Sequence, residues 1–319
     1  MPQYGVNGSN LRVKNMKHTV VIPLYNKEAY LFDTIRSLAF QEKKPSEIIV
    51  VDDCSTDLSL ACLKEALSFF APQFLKTTIQ IIALEENKGS GNAKNVGIDG
   101  ATGDLISFLD AGASYTHSCL REIGELLEDN TIDFLVFGIL VMPSNYYLPN
   151  IKSFKNELTF LSNGLFLIPD ALHTISSPDF SMGLGSNVVI RKKYLKKIRY
   201  ETDVSLYEGI NFCYQILKSI GRKARVGLLN KACIEVREVD ECLPRISYAN
   251  WKEVQVPIAL KRYKKNADQY DKRLVAMLSQ KWLRYTMKRL PSWRQKALFI
   301  LNYSGTLIKN YYYFKKRNI

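Results

Sequence analysis

No stretch of this 319-residue chain reaches the roughly 18 consecutive apolar residues that a membrane-spanning helix needs. The nearest approach, Phe134 to Met142, is half that length and suits a buried strand. Residues Met1 to Lys17 are polar and lack the apolar centre of a secretory signal, so a cytoplasmic protein is expected. Cysteine is sparse and scattered: Cys54, Cys62, Cys119, Cys213, Cys233 and Cys242 show no C-x-x-C spacing. That excludes a zinc knuckle or a disulfide scaffold and predicts ordinary reduced thiols. Histidine is rarer still, with 3 in the chain and none beyond His173. No internal repeat is present, and the only low-complexity stretch is Tyr311-Tyr312-Tyr313.

Acidic residues are the striking shortage of the last quarter only in a local sense, because the body has its full share. From Arg245 to Ile319 there are 18 basic and 3 acidic residues, and the first 244 residues hold 26 and 28. The net charge of +13 therefore belongs to a basic tail on a near-neutral body. With 46% apolar and 24% charged residues the chain is globular, long enough for about two domains of 100 to 200 residues.

The first half alternates strand and helix periods. Thr19 to Ile22 reads as a strand closed by Pro23, which lacks the N–H of a central ladder. Leu31, Ile35 and Leu38 recur at helical spacing, and Glu47 to Val51 is a second, continuously apolar strand. Asp53, Ser55 and Thr56 offer caps for a helix through Leu60, Leu63 and Leu67. Ile79 to Leu84, Asn92 to Ala101 and Leu105 to Leu109 continue as strand, helix and strand. Such units predict an α/β fold with a mostly parallel sheet flanked by helices, whose ligands bind beyond the carboxyl ends of the strands. Four clusters stand there: Pro23-Leu24-Tyr25-Asn26, Asp52-Asp53-Cys54-Ser55, Glu86-Asn87-Lys88-Gly89 and Asp110-Ala111-Gly112. An aspartate after the second strand can accept a uracil imide hydrogen or a ribose hydroxyl, and a tyrosine with a proline backbone can frame a flat base. Gly89-Ser90-Gly91-Asn92-Ala93-Lys94 is not a dinucleotide fingerprint, because Lys94 replaces the third glycine, and it is no P-loop.

Taken together, Val20-Val21-Ile22-Pro23-Leu24-Tyr25-Asn26, Ile48 to Asp57, Asn87-Lys88-Gly89 with Ala93-Lys94-Asn95-Val96-Gly97, and Ala101-Thr102-Gly103-Asp104 before Phe108-Leu109-Asp110 resemble the family 2 glycosyltransferases of GT-A fold. The resemblance weakens beyond Asp110, where Gly183 to Arg191 is similar to the family's glycine-containing segment and Tyr207-Glu208-Gly209 sits where Glu-Asp is usual. It implies a nucleotide-sugar donor, transfer with inversion and assembly of a bacterial surface glycan on a glycan or lipid-linked acceptor. By position, Pro23, Tyr25, Asn26 and Asp53 would hold the nucleotide with Lys88 and Lys94, and Asp110 would face the ribose or a metal.

Three departures fall on the chemistry. Gly112 replaces the second carboxylate of Asp-x-Asp, Gly209 replaces the aspartate of Glu-Asp, and no histidine stands near Arg237-Glu238-Val239. A metal's Lewis acidity is worth several kcal/mol and a general base about 10²- to 10⁴-fold. Three readings follow. In one, Lys88, Lys94, Arg237 or Arg245 neutralises the diphosphate in place of a metal, with Glu208 as base after a backbone shift that Gly209 permits. In another, Mg²⁺ or Mn²⁺ is held by Asp110 and the diphosphate alone. In the third, the chain is a silent subunit that binds nucleotide, glycan or a partner glycosyltransferase.

Simpler roles stand beside these. Glu208 fits a helix amino-terminal carboxylate, Lys94 a solvated helix residue and His117 a surface residue, while His173 and Asp179 lie in an acceptor-side loop. The expected segments are a tail over 1–17, a nucleotide-sugar half over 18–115, an acceptor half over 116–244 and a helical extension over 245–319. The extension carries all three tryptophans. Leu274, Leu278, Trp282 and Tyr285 fall on one helical face flanked by Lys281, Arg284 and Lys288. That pattern predicts peripheral binding to the inner face of an anionic membrane, with packing on the body as the plain alternative and nucleic acid disfavoured.

Overall fold

The computed structural model describes residues 16–129, 132–177, 180, 186–202, 206–221, 224–237, 247–263 and 267–315. Its first half is a βα alternation: β1 (His18–Leu24), α1 (Leu31–Ala39), β2 (Glu47–Asp52), α2 (Ser59–Phe69), β3 (Thr78–Ala83), α3 (Ser90–Gly100) and β4 (Leu105–Phe108). Every residue of β1, β2 and β4 is buried, as the unbroken apolar runs require of strands covered on both faces. The second half adds β5 (Ala113–Tyr115), α4 (Cys119–Asp129), β6 (Phe134–Met142), β7 (Tyr146–Leu148), β8 (Thr159–Ser162), β9 (Leu165–Ile168), α5 (Ala171–Ile175), β10 (Val188–Arg191), α6 (Glu208–Ile220) and β11 (Val226–Arg237). Three helices follow, α7 (Ile258–Arg262), α8 (Gln269–Arg289) and α9 (Trp293–Lys315).

The strands form one sheet in the order β3-β2-β1-β4-β10-β6-β11-β9-β8, with β5 on β11 and β7 on β6. The parallel run β3-β2-β1-β4 matches the alternation read from the sequence. Beyond it β10 is antiparallel to both β4 and β6, while β6 and β11 are parallel. One core lies under α1, α2 and α4, and the other packs α3, α6, α8 and α9 against the opposite face.

Pro23 is inside a central strand, paired with Val51, rather than closing it. Val21 accepts from Leu109 toward β4 and Leu24 accepts from Asp53 toward β2. By alternation Pro23 turns its edge to β4, which has already ended at Phe108, so its missing N–H forfeits no ladder bond. The tail boundary also moves: Met16 is buried, so the body begins before residue 18. No helix among the described residues is long and apolar enough to cross a membrane.

The extension belongs to the core. Leu274, Leu278 and Trp282 of α8 are fully buried and Tyr285 packs beside them. The face expected to meet lipid is therefore covered by protein, with Trp282 edge-on to Phe299 and Tyr303 of α9. The start of α8 is locally specified by a capping box between Asp268 and Asp271. Asp271, buried, also accepts from Tyr214 at 2.8 Å and Lys218 at 2.5 Å, which binds α8 to α6.

Candidate active site

The carboxyl ends of β1, β2 and β4 lead into a cluster of side chains that the amino ends of α3 and α6 complete. At its centre the Lys94 ammonium lies 3.2 Å from Oδ1 of Asp110 and 3.9 Å from Oε1 of Glu208. Lys94 is 4% exposed, so it is no solvated helix residue. Burial disfavours its charge, yet Asp110 and then Glu208 outweigh that and hold its pKa above the ordinary lysine value. Beneath it Tyr200 stacks on Phe212 with centroids 3.8 Å apart, and Phe108 meets both edge-on. This apolar floor keeps water away from one side of the charges, which strengthens their interaction.

Burial pushes the Glu208 carboxyl up to about 7; Lys94 opposes the shift and Asp110 adds to it. A carboxyl poised there can exchange a proton near neutral pH, as a general base must. The backbone that aims it is unusual at Tyr207, not at Gly209. Tyr207 caps α6 with φ +61°, whereas Gly209 is ordinary helix. Left-handed tyrosine is strained, and such positions cluster at functional sites. Asn26 at φ +48° and Cys54 at φ +61° show the same feature where β1 and β2 end.

Close approach of α3 to the 200–208 segment completes the centre. A Cβ on Gly91 would stand 2.6 Å from the Glu201 carbonyl and 3.1 Å from Glu208 Oε2, so only glycine fits. Asn95 grips Tyr200 through both side-chain atoms, donating to its carbonyl at 2.9 Å and accepting from its N–H at 2.8 Å. Arg262 of α7 pairs with Glu201 from the far side. Of these, Gly91 and Asn95 lie in the stretch already singled out around Lys94. Tyr200 carries no sequence signal, because its role depends on packing across more than 100 residues.

The residues expected to hold the nucleotide divide. Tyr25 is 43% exposed, directly after the end of β1. Pro23 is buried in β1, so its ring offers no surface. Asn26 bridges two loops instead, accepting from the Thr56 N–H at 2.8 Å and donating to its hydroxyl at 3.1 Å. Asp53, 2% exposed, accepts from the N–H groups of Lys88 at 3.0 Å and Gly89 at 2.7 Å, and so shapes the loop before α3. The Lys88 ammonium pairs with Glu86 at 2.5 Å on the surface. Arg237 reaches Asp33 of α1 at 2.6 Å. Arg245 and Asp179 lie outside the described residues. His117 is a surface residue near Glu42, and His173 sits on α5 against Glu157 at 3.2 Å.

The metal implied by the resemblance is not matched by the donors. Asp110 is the one carboxylate of its motif and is already paired with an ammonium. Among the described residues no three His, Cys, Asp or Glu side chains converge as a metal site. Gly112 adopts φ +103°, a backbone an aspartate would strain to hold.

Comparison with known proteins gives these features a family. The sequence profile of Glycosyl transferase family 2 matches residues 19–199. Poly(ribitol-phosphate) beta-N-acetylglucosaminyltransferase TarS of Staphylococcus aureus is 31% identical over 124 residues, 38% of this chain and 20% of that protein. The amylovoran biosynthesis glycosyltransferase AmsB of Erwinia amylovora is 33% identical over 116 residues, 36% of this chain and 37% of that protein. The chain thus spans well under half the length of either relative. The crystal structure of S. aureus TarS 1-349 in complex with UDP-GlcNAc superposes with a TM-score of 0.61 at 20% identity, covering 93% of this chain and 89% of that one. A Pyrobaculum calidifontis mannosyltransferase in complex with GDP-Man and Mn²⁺ superposes at 0.50 and 17% identity, over 93% and 73%. At such identities the structural likeness shows the fold, which is the GT-A arrangement. The profile match runs from β1 to the loop that closes over Lys94 and takes in more than half of the residues, and by it the chain belongs to the family 2 glycosyltransferases.

Proposed function

We propose that this protein transfers a sugar from a nucleotide-diphosphate donor, a UDP-sugar first, to a glycan or lipid-linked acceptor of a bacterial surface polysaccharide, with inversion. The carrying observation is Glu208: a largely covered carboxyl, pushed up to about 7, facing Lys94 and Asp110 beyond the carboxyl end of β4. The names of TarS and AmsB and the UDP-GlcNAc bound to TarS support the substrate class. The acceptor hydroxyl gives its proton to Glu208 as its oxygen attacks the anomeric carbon. The bond from that carbon to the diphosphate oxygen breaks, and the nucleoside diphosphate leaves with the electron pair. One displacement inverts the centre.

The silent-subunit reading draws on Gly112 and Gly209, which replace two carboxylates. A donor screen separates the two. Release of nucleoside diphosphate that depends on acceptor supports the transferase, and loss of that release in Glu208→Gln with nucleotide binding retained assigns the base. Binding without turnover of any donor supports the subunit.

The reading includes peripheral attachment to the cytoplasmic face of the membrane, through α9 rather than α8. Trp293, Leu301 and Ile308 are 81%, 70% and 59% exposed and fall on one face of α9. Arg294, Lys296 and Lys309 lie on the same helix, which has no acidic residue. An apolar stripe with basic flanks fits an anionic lipid surface.

A further inference from the structure

We propose that this site neutralises the donor diphosphate without a divalent cation, using Lys94 beneath it and Arg237 beside Gly112. The inference rests on the nucleotide-diphosphate donor proposed above and concerns how its charge is met.

Two facts about Gly112 motivate it. The residue lacks the carboxylate, and its φ of +103° suits glycine alone, so the backbone is committed to that loss. The Gly112 N–H donates to Thr34 at 3.0 Å and the Ala113 N–H to Asp110 at 2.9 Å, which fixes the turn. A side chain at 112 would point at Tyr30, whose Cβ lies 3.6 Å from the position of the missing Cβ.

A cation stands in that direction. In the antiparallel ladder of β11 and β5, Ile234 faces Tyr115 and Val236 faces Ala113, so Arg237 follows at the end of the ladder that adjoins Gly112. Its guanidinium reaches Asp33, one helical turn beyond Tyr30. Arg237 is thus brought next to the turn that lacks the second carboxylate. Its side chain is 56% exposed and that of Asp33 38%, and exposed pairs of this kind are weakly held and can exchange for a more highly charged anion. Guanidinium matches phosphate oxygens through two parallel donors.

Lys94 supplies the second positive charge. Its 3.2 Å pairing with Asp110 takes up the only carboxylate left to the metal motif. In place of a metal held by two carboxylates the site offers two cations, Lys94 paired with Asp110 and Glu208, and Arg237 paired with Asp33. No metal is then needed to bring phosphate oxygens to the site.

The test is calorimetric titration of the full-length protein with UDP and, separately, with uridine, in EDTA and in excess Mn²⁺. The inference expects UDP affinity to be equal in the two buffers. It also expects Arg237→Gln to weaken UDP about tenfold, as loss of a charge-assisted contact does, with uridine binding unchanged. Uridine has no diphosphate, so it reports the base and ribose contacts and the fold together. UDP binding that disappears in EDTA and returns with Mn²⁺ overturns the inference and leaves the transferase reading intact. Unchanged UDP affinity in Arg237→Gln removes Arg237 from the site. No UDP binding in either buffer overturns both the inference and the donor it rests on.

Discussion

Asn95 and Tyr200 hold each other by two reciprocal hydrogen bonds, side-chain amide to backbone, at 2.9 and 2.8 Å. The pair fastens α3, which carries Lys94, to the segment that leads into Glu208. Replacing Asn95 by Asp keeps the acceptor and loses the donor, leaving the Tyr200 carbonyl without its partner. Stability should fall by about 1–3 kcal/mol, and sugar transfer should fall more than nucleotide affinity. Thermal unfolding and turnover measured on the same sample check it. An unchanged turnover number would show that the latch does not set the site.

Glu208 makes a pH prediction. Its carboxyl is raised to about 7 by burial, so transfer should rise through neutral pH as it ionises. The stability effect has the opposite sense. Between the ordinary 4.5 and about 7 the folded protein keeps a proton that the unfolded chain has lost, so folding stability falls as pH rises across that window. The fall from this group is on the order of 3 kcal/mol. Denaturant unfolding at a series of pH values should show that slope in the native protein and a flatter one in Glu208→Gln. Equal slopes would mean that Glu208 does not titrate there.

Gly91→Ala should be more damaging than a surface glycine change. The added methyl would sit 2.6 Å from a backbone carbonyl, Glu201, which cannot rotate away. The 200–208 segment must lift, at about 1–3 kcal/mol and with loss of turnover. Gly305→Ala lies inside α9, where an added Cβ meets nothing, and is the contrasting control: it should leave turnover unchanged and raise stability by about 0.5–1 kcal/mol through helix propensity.

The two tryptophans of α8 and α9 should separate core from surface. Trp282→Ala removes a fully buried ring and should cost about 3–5 kcal/mol. Trp293 is 81% exposed, so Trp293→Ser should stay within about 0.5 kcal/mol of the native protein. If α9 meets lipid, Trp293→Ser combined with Leu301→Ser should lose sedimentation with phosphatidylglycerol vesicles at low salt. Retained sedimentation, or none by the native protein, counts against the α9 surface.

Much of the first half of the chain was legible because its signals are local. Continuous apolar runs at β1 and β2 and the spacing of Leu31, Ile35 and Leu38 place strands and a helix without reference to the rest of the chain. The basic amphipathic face of α8 was equally visible, but periodicity says which side is apolar and not what covers it. Here α6 and α9 cover it, and the open stripe is on the next helix. Pro23 misled for a related reason. Whether its missing N–H matters depends on where the neighbouring strand stops, and that neighbour is more than 80 residues away.

For the centre itself, the amino-acid sequence alone determined which groups are present: a lysine after the third strand, one aspartate after the fourth, and a glutamate followed by glycine. Whether they act together was decided only by tertiary structure. Lys94 is a buried, charged hub because α3 and α6 converge on it over an aromatic floor, and Glu208 is raised because that convergence excludes water. Arg237 comes next to Gly112 because a β-ladder register, set by pairing across more than a hundred residues, puts its neighbour Val236 opposite Ala113. Charge and residue type are properties of the chain, whereas desolvation and distance between remote residues come into being when the sheet closes.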